Sequence, residues 1–343
     1  MKRNIRGLLK GRVAGLIGAI AVMLSIPAAQ AQVYVTEAQG SVLEFDATNG
    51  THVAAFSANI GGAAYGVALS GNNLYVLNGN TGPVWEFDAT TGATINANFI
   101  TGNIGYEALA LSGNNLFVPG PAGLGEYAAT SGDPIRVGFG FAGTAGMAVV
   151  GNNLYVTAGT TVAKLDATTG ATIKSPFITG LGPFAYGLAA SGNSLFVAVY
   201  PDHVAKYNAA TGAAINTNFI SGLNQVEGLA TSGNNLYVVE FGRSVVGKYD
   251  ATTGAAINSN FITALSNPTS VAAAPPSPAP LLSHFEEHNN IVVYWPASAT
   301  NGTLQTNSNL ATTNWVNYAV TVTNNSVTNP LSGAGLFFRL NNP

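Results

Sequence analysis

GNNLYV at Gly71–Val76 is the stretch on which the reading of this chain turns. It returns as GNNLFV at Gly113–Val118, GNNLYV at Gly151–Val156, GNSLFV at Gly192–Val197 and GNNLYV at Gly233–Val238, at spacings of 42, 38, 41 and 41 residues. A second phrase keeps the same interval: FDATNG at Phe45–Gly50, FDATTG at Phe87–Gly92, YAATSG at Tyr127–Gly132, LDATTG at Leu165–Gly170, YNAATG at Tyr207–Gly212 and YDATTG at Tyr249–Gly254. Both phrases contain turns. Gly and Asn accept the positive φ that tight hairpins need, and an Asp such as Asp88 can accept bonds from amides of its own turn.

Each period reads as four short strands. In the second, these are Tyr65–Leu69, Leu74–Leu77, Val84–Phe87 and Thr94–Ile100. Leu74 and Val76 alternate with Tyr75, which gives a sheet with two faces suited to stacking between neighbouring sheets. Self-similarity at about 40 residues, with four strands per period, predicts a β-propeller. The inner strand recurs at Tyr65, Glu107, Ala145, Tyr186, Glu227 and Thr269. The register is offset, because the repeats begin on a second strand, Val33–Val35, and end on a lone first strand, Thr269–Ala274. That last strand is expected to complete the blade opened by Val33, closing a six-bladed ring in a three-plus-one fashion and removing exposed edges.

The chain has 343 residues, 41 of them Gly, no Cys and only 8% charged residues. Lys2, Arg3, Arg6, Lys10 and Arg12 precede an apolar run, Val13–Ile26, and the small-x-small sequence Ala29-Gln30-Ala31. This reads as a secretory signal peptide over residues 1–31, its apolar run being too short to span a bilayer. Its removal leaves seven basic against fifteen acidic residues, a net charge of −8. Such a charge offers no electrostatic case for nucleic acid, and no later stretch approaches membrane-spanning length. An exported protein is expected, in the periplasm, on the cell surface or in the medium.

Repeats of the form GLA-x-SGNNLYV followed by KYDATTGA resemble the NHL-type and SMP-30/gluconolactonase-like six-bladed propellers of secreted bacterial proteins, over about Gln32–Pro275. The propeller is accordingly placed at residues 32–274, with a Pro-rich linker at 275–282. The remainder, 283–343, reads as a small β-sandwich-like domain with strands at Ile291–Trp295, Gly302–Thr306, Tyr318–Val322 and Leu336–Leu340. Through Trp295-Pro296-Ala297, Leu304-Gln305, Asn314-Trp315 and Phe337–Leu340 it resembles the immunoglobulin- or fibronectin-III-like modules that end many exported bacterial proteins. That resemblance implies attachment to a surface or contact with a ligand.

Propeller sites lie where inner strands begin and the loops after second strands converge. Aligning the repeats sets one residue per blade at that mouth, and positions three apart in a six-membered ring face each other. Tyr65 then opposes Tyr186, Glu107 opposes Glu227, and Ala145 opposes Thr269. Two tyrosine faces suit a sugar ring or other flat ligand, and two carboxylates suit hydroxyls or a cation. The loops after the second strands add Glu37, Asn78, Tyr200, Asp202, His203, Glu240 and Arg243.

A non-catalytic binding or scaffold module for a glycan or small polar molecule is the function expected, without a cofactor. Two alternatives stand beside it: a purely structural envelope protein, and a divalent-metal-dependent hydrolase of lactones or sugar esters. The lactonases resembled hold their cation with a Glu plus Asn and Asp ligands. Glu227-Gly228 matches that Glu, but no matching Asp is found, and the ring shows Tyr, Ala and Thr instead. Calcium would be the ion, with Glu107 and Glu227 as candidate ligands, although a hard cation wants six or more oxygens. Two patterns only mimic metal sites. His284-Phe285-Glu286-Glu287-His288 has the H-x-x-E-H spacing but reads as a strand edge, whereas that motif needs a helix. The DATTG loops carry one carboxylate each, which turn chemistry explains.

Overall fold

The computed structural model describes residues 32–54, 56, 58–79, 82–102, 108–274, 283–287, 290–294, 303–307, 316–317, 326–330 and 337–341. The leader, the linker, Glu107, His288 and the expected strand at Tyr318–Val322 lie outside the described residues. Among those described, no helix is long and apolar enough to cross a membrane. The chain divides into two compact units, one spanning Gln30–Pro278 and the other containing the C-terminal strands.

The first unit is a six-bladed β-propeller, six four-stranded antiparallel sheets. Blade one consists of Pro268–Ala273, Gln32–Glu37, Ser41–Asp46 and the short Ala58–Asn59, in that spatial order. Its inner strand comes from the far end of the repeats: Val33 pairs with Ala273, Val35 with Val271 and Thr36 with Ser270. The inner strands of blades two to six are Ala64–Ser70, Ala110–Ser112, Met147–Val150, Phe184–Ser191 and Val226–Ser232. Each inner strand contacts the next around the circle. Side chains add to the closure. Thr269 Oγ1 donates to Ala64 O at 2.7 Å and Thr36 Oγ1 to Tyr65 O at 2.6 Å, and a backbone bond from Ala274 N to Gln32 O at 2.8 Å extends the ladder.

The core follows from the two-faced strands. Buried apolar side chains gather in six clusters, each mixing residues of two adjacent blades. The phrase GNNLYV is explained residue by residue. The first Asn ties down the hairpin of its own blade, as when Asn72 Nδ2 donates to Asp88 Oδ2 at 2.6 Å. The second Asn meets the third strand, as when Asn73 Nδ2 donates to Glu86 Oε1 at 2.9 Å. The Tyr crosses to the next blade. Tyr34 OH donates to Ala89 O at 2.8 Å, and Tyr75 and Tyr155 do the same to Ala129 O and Ala209 O. Each of these alanines is the second residue of an Asp-Ala-Thr-Thr-Gly-type hairpin, so the two repeated phrases are partners across blade interfaces.

Where the Tyr is missing or distant, a cation takes over. Blade five has Phe196, and Lys206 Nζ reaches Ala251 O at 2.8 Å and Thr252 O at 3.1 Å. Blade three has Phe117, and Arg136 donates to Thr168 O at 3.1 Å. At the closing interface Lys248 Nζ donates to Ala47 O at 2.8 Å, while Tyr237 OH stands 3.5 Å from the same oxygen. All six interfaces are bridged in this way. Within the hairpins, Asp88 Oδ1 accepts from Thr90 N and Thr91 N at 3.0 and 2.8 Å, and Asp166 and Asp250 repeat the pattern. The carboxylates are therefore spent on their own turns, as turn chemistry requires.

The second unit contains two three-stranded antiparallel sheets. One is Ser283–Glu287, Asn290–Tyr294 and Ser326–Pro330; the other is Val316–Asn317, Thr303–Asn307 and Phe337–Asn341. His284 lies in the first of these strands, opposite Val293, so the H-x-x-E-H spacing falls on extended backbone up to Glu287.

Two titrating sets act in opposite directions. Bonds from Thr91, Thr169 and Thr253 hold Asp88, Asp166 and Asp250 below the ordinary carboxylate range. Their contribution is present above that range and fades as pH falls through their lowered pKa values. Glu44 is fully buried, and neither oxygen receives a hydrogen bond of ordinary geometry. Burial pushes its carboxyl up to about 7, with the Gln32 amide opposing part of that shift. A raised carboxyl favours the fold at low pH and withdraws that support as pH rises through 7. Glu44→Gln is expected to leave stability unchanged near pH 4 and to raise it by on the order of 3 kcal/mol near pH 9. Urea unfolding across that range measures this, and equal stabilities at the alkaline end would contradict it. For the closure, deleting Thr269–Ala274 is expected to abolish cooperative unfolding, whereas ending the chain after Ser277 preserves it. Calorimetry of both truncations decides; a stable ring without its last strand would refute the closure.

Candidate functional site

A cavity of about 320 Å³ lies on the propeller axis, with walls from all six blades. Its lining includes Tyr65, Ala145, Tyr186, Glu227 and Thr269. The structure thus brings together five of the six ring positions that repeat alignment expects at the mouth, while Glu107 lies outside the described residues. Tyr65 and Tyr186 stand on blades two and five, three apart in the ring, and Thr269 and Ala145 on blades one and four.

The crowding of the axis explains the glycine that follows four of the six ring positions, Gly66, Gly146, Gly187 and Gly228. A Cβ on Gly187 would lie 2.4 Å from Glu227 O, on Gly146 2.1 Å from Tyr186 O, and on Gly228 2.8 Å from the Cα of Ser270. Neighbouring inner strands therefore approach backbone to backbone, and only a residue without a side chain fits between them. The ladders of blades two, five and six shift register at the same place, between Ala64 and Val67, Ala185 and Leu188, and Val226 and Leu229. Such bulges re-aim side chains at a sheet edge.

The tyrosines are seated differently. Tyr65 lies against Gly79, where a Cβ would stand 2.0 Å from Cδ2 of the ring. Tyr186 meets Tyr200 edge to face, with centroids 5.5 Å apart, and Tyr200 OH accepts from Gln225 Nε2 at 3.2 Å. Thr269 gives its hydroxyl to the closing strands rather than to the cavity. Glu227 is half-buried and is the one acidic side chain among the described lining residues.

The loop residues expected at the mouth divide. Tyr200 joins the site through Tyr186. Asp202 and His203 pair with each other at 2.8 Å, Asp202 being exposed, and do not line the cavity. Glu240 is fully buried; it accepts from Asn224 N at 3.0 Å and from Arg243 Nη1 at 3.1 Å. Glu37 occupies the same repeat position and accepts from Ser266 N at 2.6 Å. Both carboxylates pin the loop that leads into an inner strand. Asn78 packs against Gly62 and Gly82. Phe241, between Glu240 and Arg243, does line the cavity, as does Ala38. Phe241 is not among the residues the sequence predicts at the mouth, yet the ends of the second strands, aligned as Ala38, Gly79, Pro121, Gly159, Tyr200 and Phe241, single it out with Tyr200. Among the described residues, no three His, Asp or Glu side chains gather as a metal site would require.

Fold and site together define a six-bladed β-propeller with a small axial cavity of mixed aromatic and polar lining. The family model PQQ_2, described as outer membrane protein assembly factor BamB, matches residues 14–98, about a quarter of the chain. A search of curated proteins finds no match. Among solved structures, a chain of the nidogen/laminin complex is similar at 13% identity, over 71% of this chain and 98% of that one, with a TM-score of 0.58. The computationally designed Ika8 protein is similar at 17% identity, over 76% of this chain and 77% of that one, with a TM-score of 0.46. At such identities the likeness concerns the fold alone.

Proposed function

We propose that this chain is an exported, non-catalytic binding propeller that takes a small polar molecule with a ring face, a sugar being the natural choice, at its axial cavity. The observation that carries this reading is the convergence of Tyr65, Tyr186 and Glu227 from three blades on one cavity. Two aromatic faces supply apolar contact area, and a half-buried carboxylate accepts from hydroxyls. A volume of about 320 Å³ is at the small end of the range for ligand sites, enough for one ring. Glu227 is the one carboxylate among the described lining residues, whereas a hard divalent cation takes six or more oxygen ligands, carboxylates prominent among them.

Export rests on the basic and apolar leader, and an envelope location accords with the description of the matched family, an outer membrane protein assembly factor. The finer kinship with NHL-type and SMP-30-like propellers rests on the GNNLYV and DATTG phrases. The C-terminal unit is an immunoglobulin- or fibronectin-III-like module, joined through the Pro-rich segment, that attaches the propeller to a surface or glycan.

Calorimetric titration with a panel of neutral monosaccharides tests the cavity. Wild-type protein is expected to bind at least one of them, and Tyr186→Ala to weaken that binding by about tenfold or more. Binding that survives in both Tyr65→Ala and Tyr186→Ala would place the ligand elsewhere, and a wild-type chain that binds none would leave the structural-protein alternative standing.

A further inference from the structure

In a six-fold repeat, whatever recurs in every blade is explained by the architecture, and departures confined to one blade call for another explanation. The exposed isoleucines Ile95, Ile135, Ile173, Ile215 and Ile257 recur on the outermost strands of blades two to six, so they belong to the repeat. Phe184 does not. Two residues before the ring position the other blades carry Ala63, Gly105, Gly143, Gln225 and Asn267, whereas blade five carries a phenylalanine that is 55% exposed. At the end of the second strand the same blade has Tyr200 where blades one to four have Ala38, Gly79, Pro121 and Gly159; blade six has Phe241 there but Gln225 in place of Phe184, so the aromatic pair occurs on blade five alone.

These departures touch each other. Phe184 pairs with Tyr200 across the ladder, and the Tyr186 ring stands 6.3 Å from Phe184 and 5.5 Å from Tyr200, centroid to centroid. Tyr186 lines the cavity; Phe184 and Tyr200 do not, and Phe184 faces solvent. The aromatic surface therefore runs continuously from the cavity wall to the outside, on this blade.

We infer that blade five carries an outer binding subsite, built on Phe184 and Tyr200, which makes the ligand an oligosaccharide whose terminal ring enters the cavity while its following rings lie outward over these side chains. The inference rests on the binding reading given above and extends it. Three features select this class of ligand. The cavity holds about one ring, so a longer ligand must leave it, and the exposed aromatic marks the way. The rings are inclined at 42° and 66° to one another, so a rigid flat polycycle cannot lie on all of them. A chain of puckered rings joined by rotatable bonds can turn from one face to the next. The Gln225 amide, which donates to Tyr200 OH, sets a polar group beside the aromatic surface to serve hydroxyls.

The test is titration with neutral gluco-, xylo- and N-acetylglucosamine oligosaccharides of one to six rings, using the whole chain. Affinity is expected to rise from one ring to about three and then level off. Phe184→Ala removes an exposed side chain, so folding is preserved; it is expected to weaken binding of three or more rings by about tenfold and to leave the single ring unchanged. Tyr186→Ala is expected to weaken every length alike. Affinity independent of length, or a length dependence untouched in Phe184→Ala, would overturn the outer subsite and leave the cavity reading intact. Failure of the wild-type chain to bind any member of the series would overturn both.

Discussion

The ring is held by a donor that each blade sends into the hairpin of the next. A tyrosine hydroxyl does this from blades one, two and four, and a lysine or arginine from blades three, five and six. Apart from Thr168 O, which is exposed, the accepting carbonyls sit at blade interfaces where water has little access, and an unmet buried carbonyl costs about 1–3 kcal/mol. Apolar stacking between blades is non-directional and would tolerate sliding; these bonds fix how one sheet meets its neighbour. The axial geometry follows. With adjacent sheets locked in register, the inner strands meet backbone to backbone at Gly146, Gly187 and Gly228, and the residue preceding each glycine is turned into the cavity.

The position that supplies the lysines has a second property. Facing the tyrosine or phenylalanine of the second strand, the third strand carries Glu44, Glu86 and Glu126 in blades one to three and Lys164, Lys206 and Lys248 in blades four to six. The two halves meet their needs differently. Lys206 and Lys248 satisfy the next blade's carbonyls and lie over aromatic rings at 4.7 and 4.8 Å, and burial lowers both their pKa values. Glu86 and Glu126 instead accept from Asn73 and Asn115, and Glu126 also pairs with Arg136. Glu44 has Gln32 at the corresponding place, and neither oxygen of Glu44 receives a hydrogen bond of ordinary geometry. The blade completed from the two ends of the repeat region therefore contains the least satisfied buried acid of the three.

Most of the fold was legible because hairpin chemistry and strand alternation are local. The blade count, the offset closure and the ring positions Tyr65, Ala145, Tyr186, Glu227 and Thr269 all follow from aligning glycines. What stayed hidden depends on reach between blades. Nothing in the spacing of Glu240 says that its carboxylate is taken by Asn224 and Arg243, or that Glu37 does the same for Ser266. Phe241 escaped notice since a lone aromatic at a strand end looks like core until the neighbouring blade is in place. The exchange of tyrosine for lysine between blades four and five is equally opaque in one dimension. Phe196 looks like a loss of function until Lys206 is found to reach the carbonyl of Ala251.

That exchange offers the most direct measurement. Lys206→Met keeps the apolar stem and removes the donor, so Ala251 O loses its partner at the interface of blades five and six. Urea unfolding of this variant is expected to show a loss of about 1–3 kcal/mol, and adding Phe196→Tyr in the same chain is expected to recover most of it by restoring the hydroxyl found in blades one, two and four. A neutral Lys206→Met, or a double variant no more stable than the single one, would contradict the claim that donors between blades hold the ring.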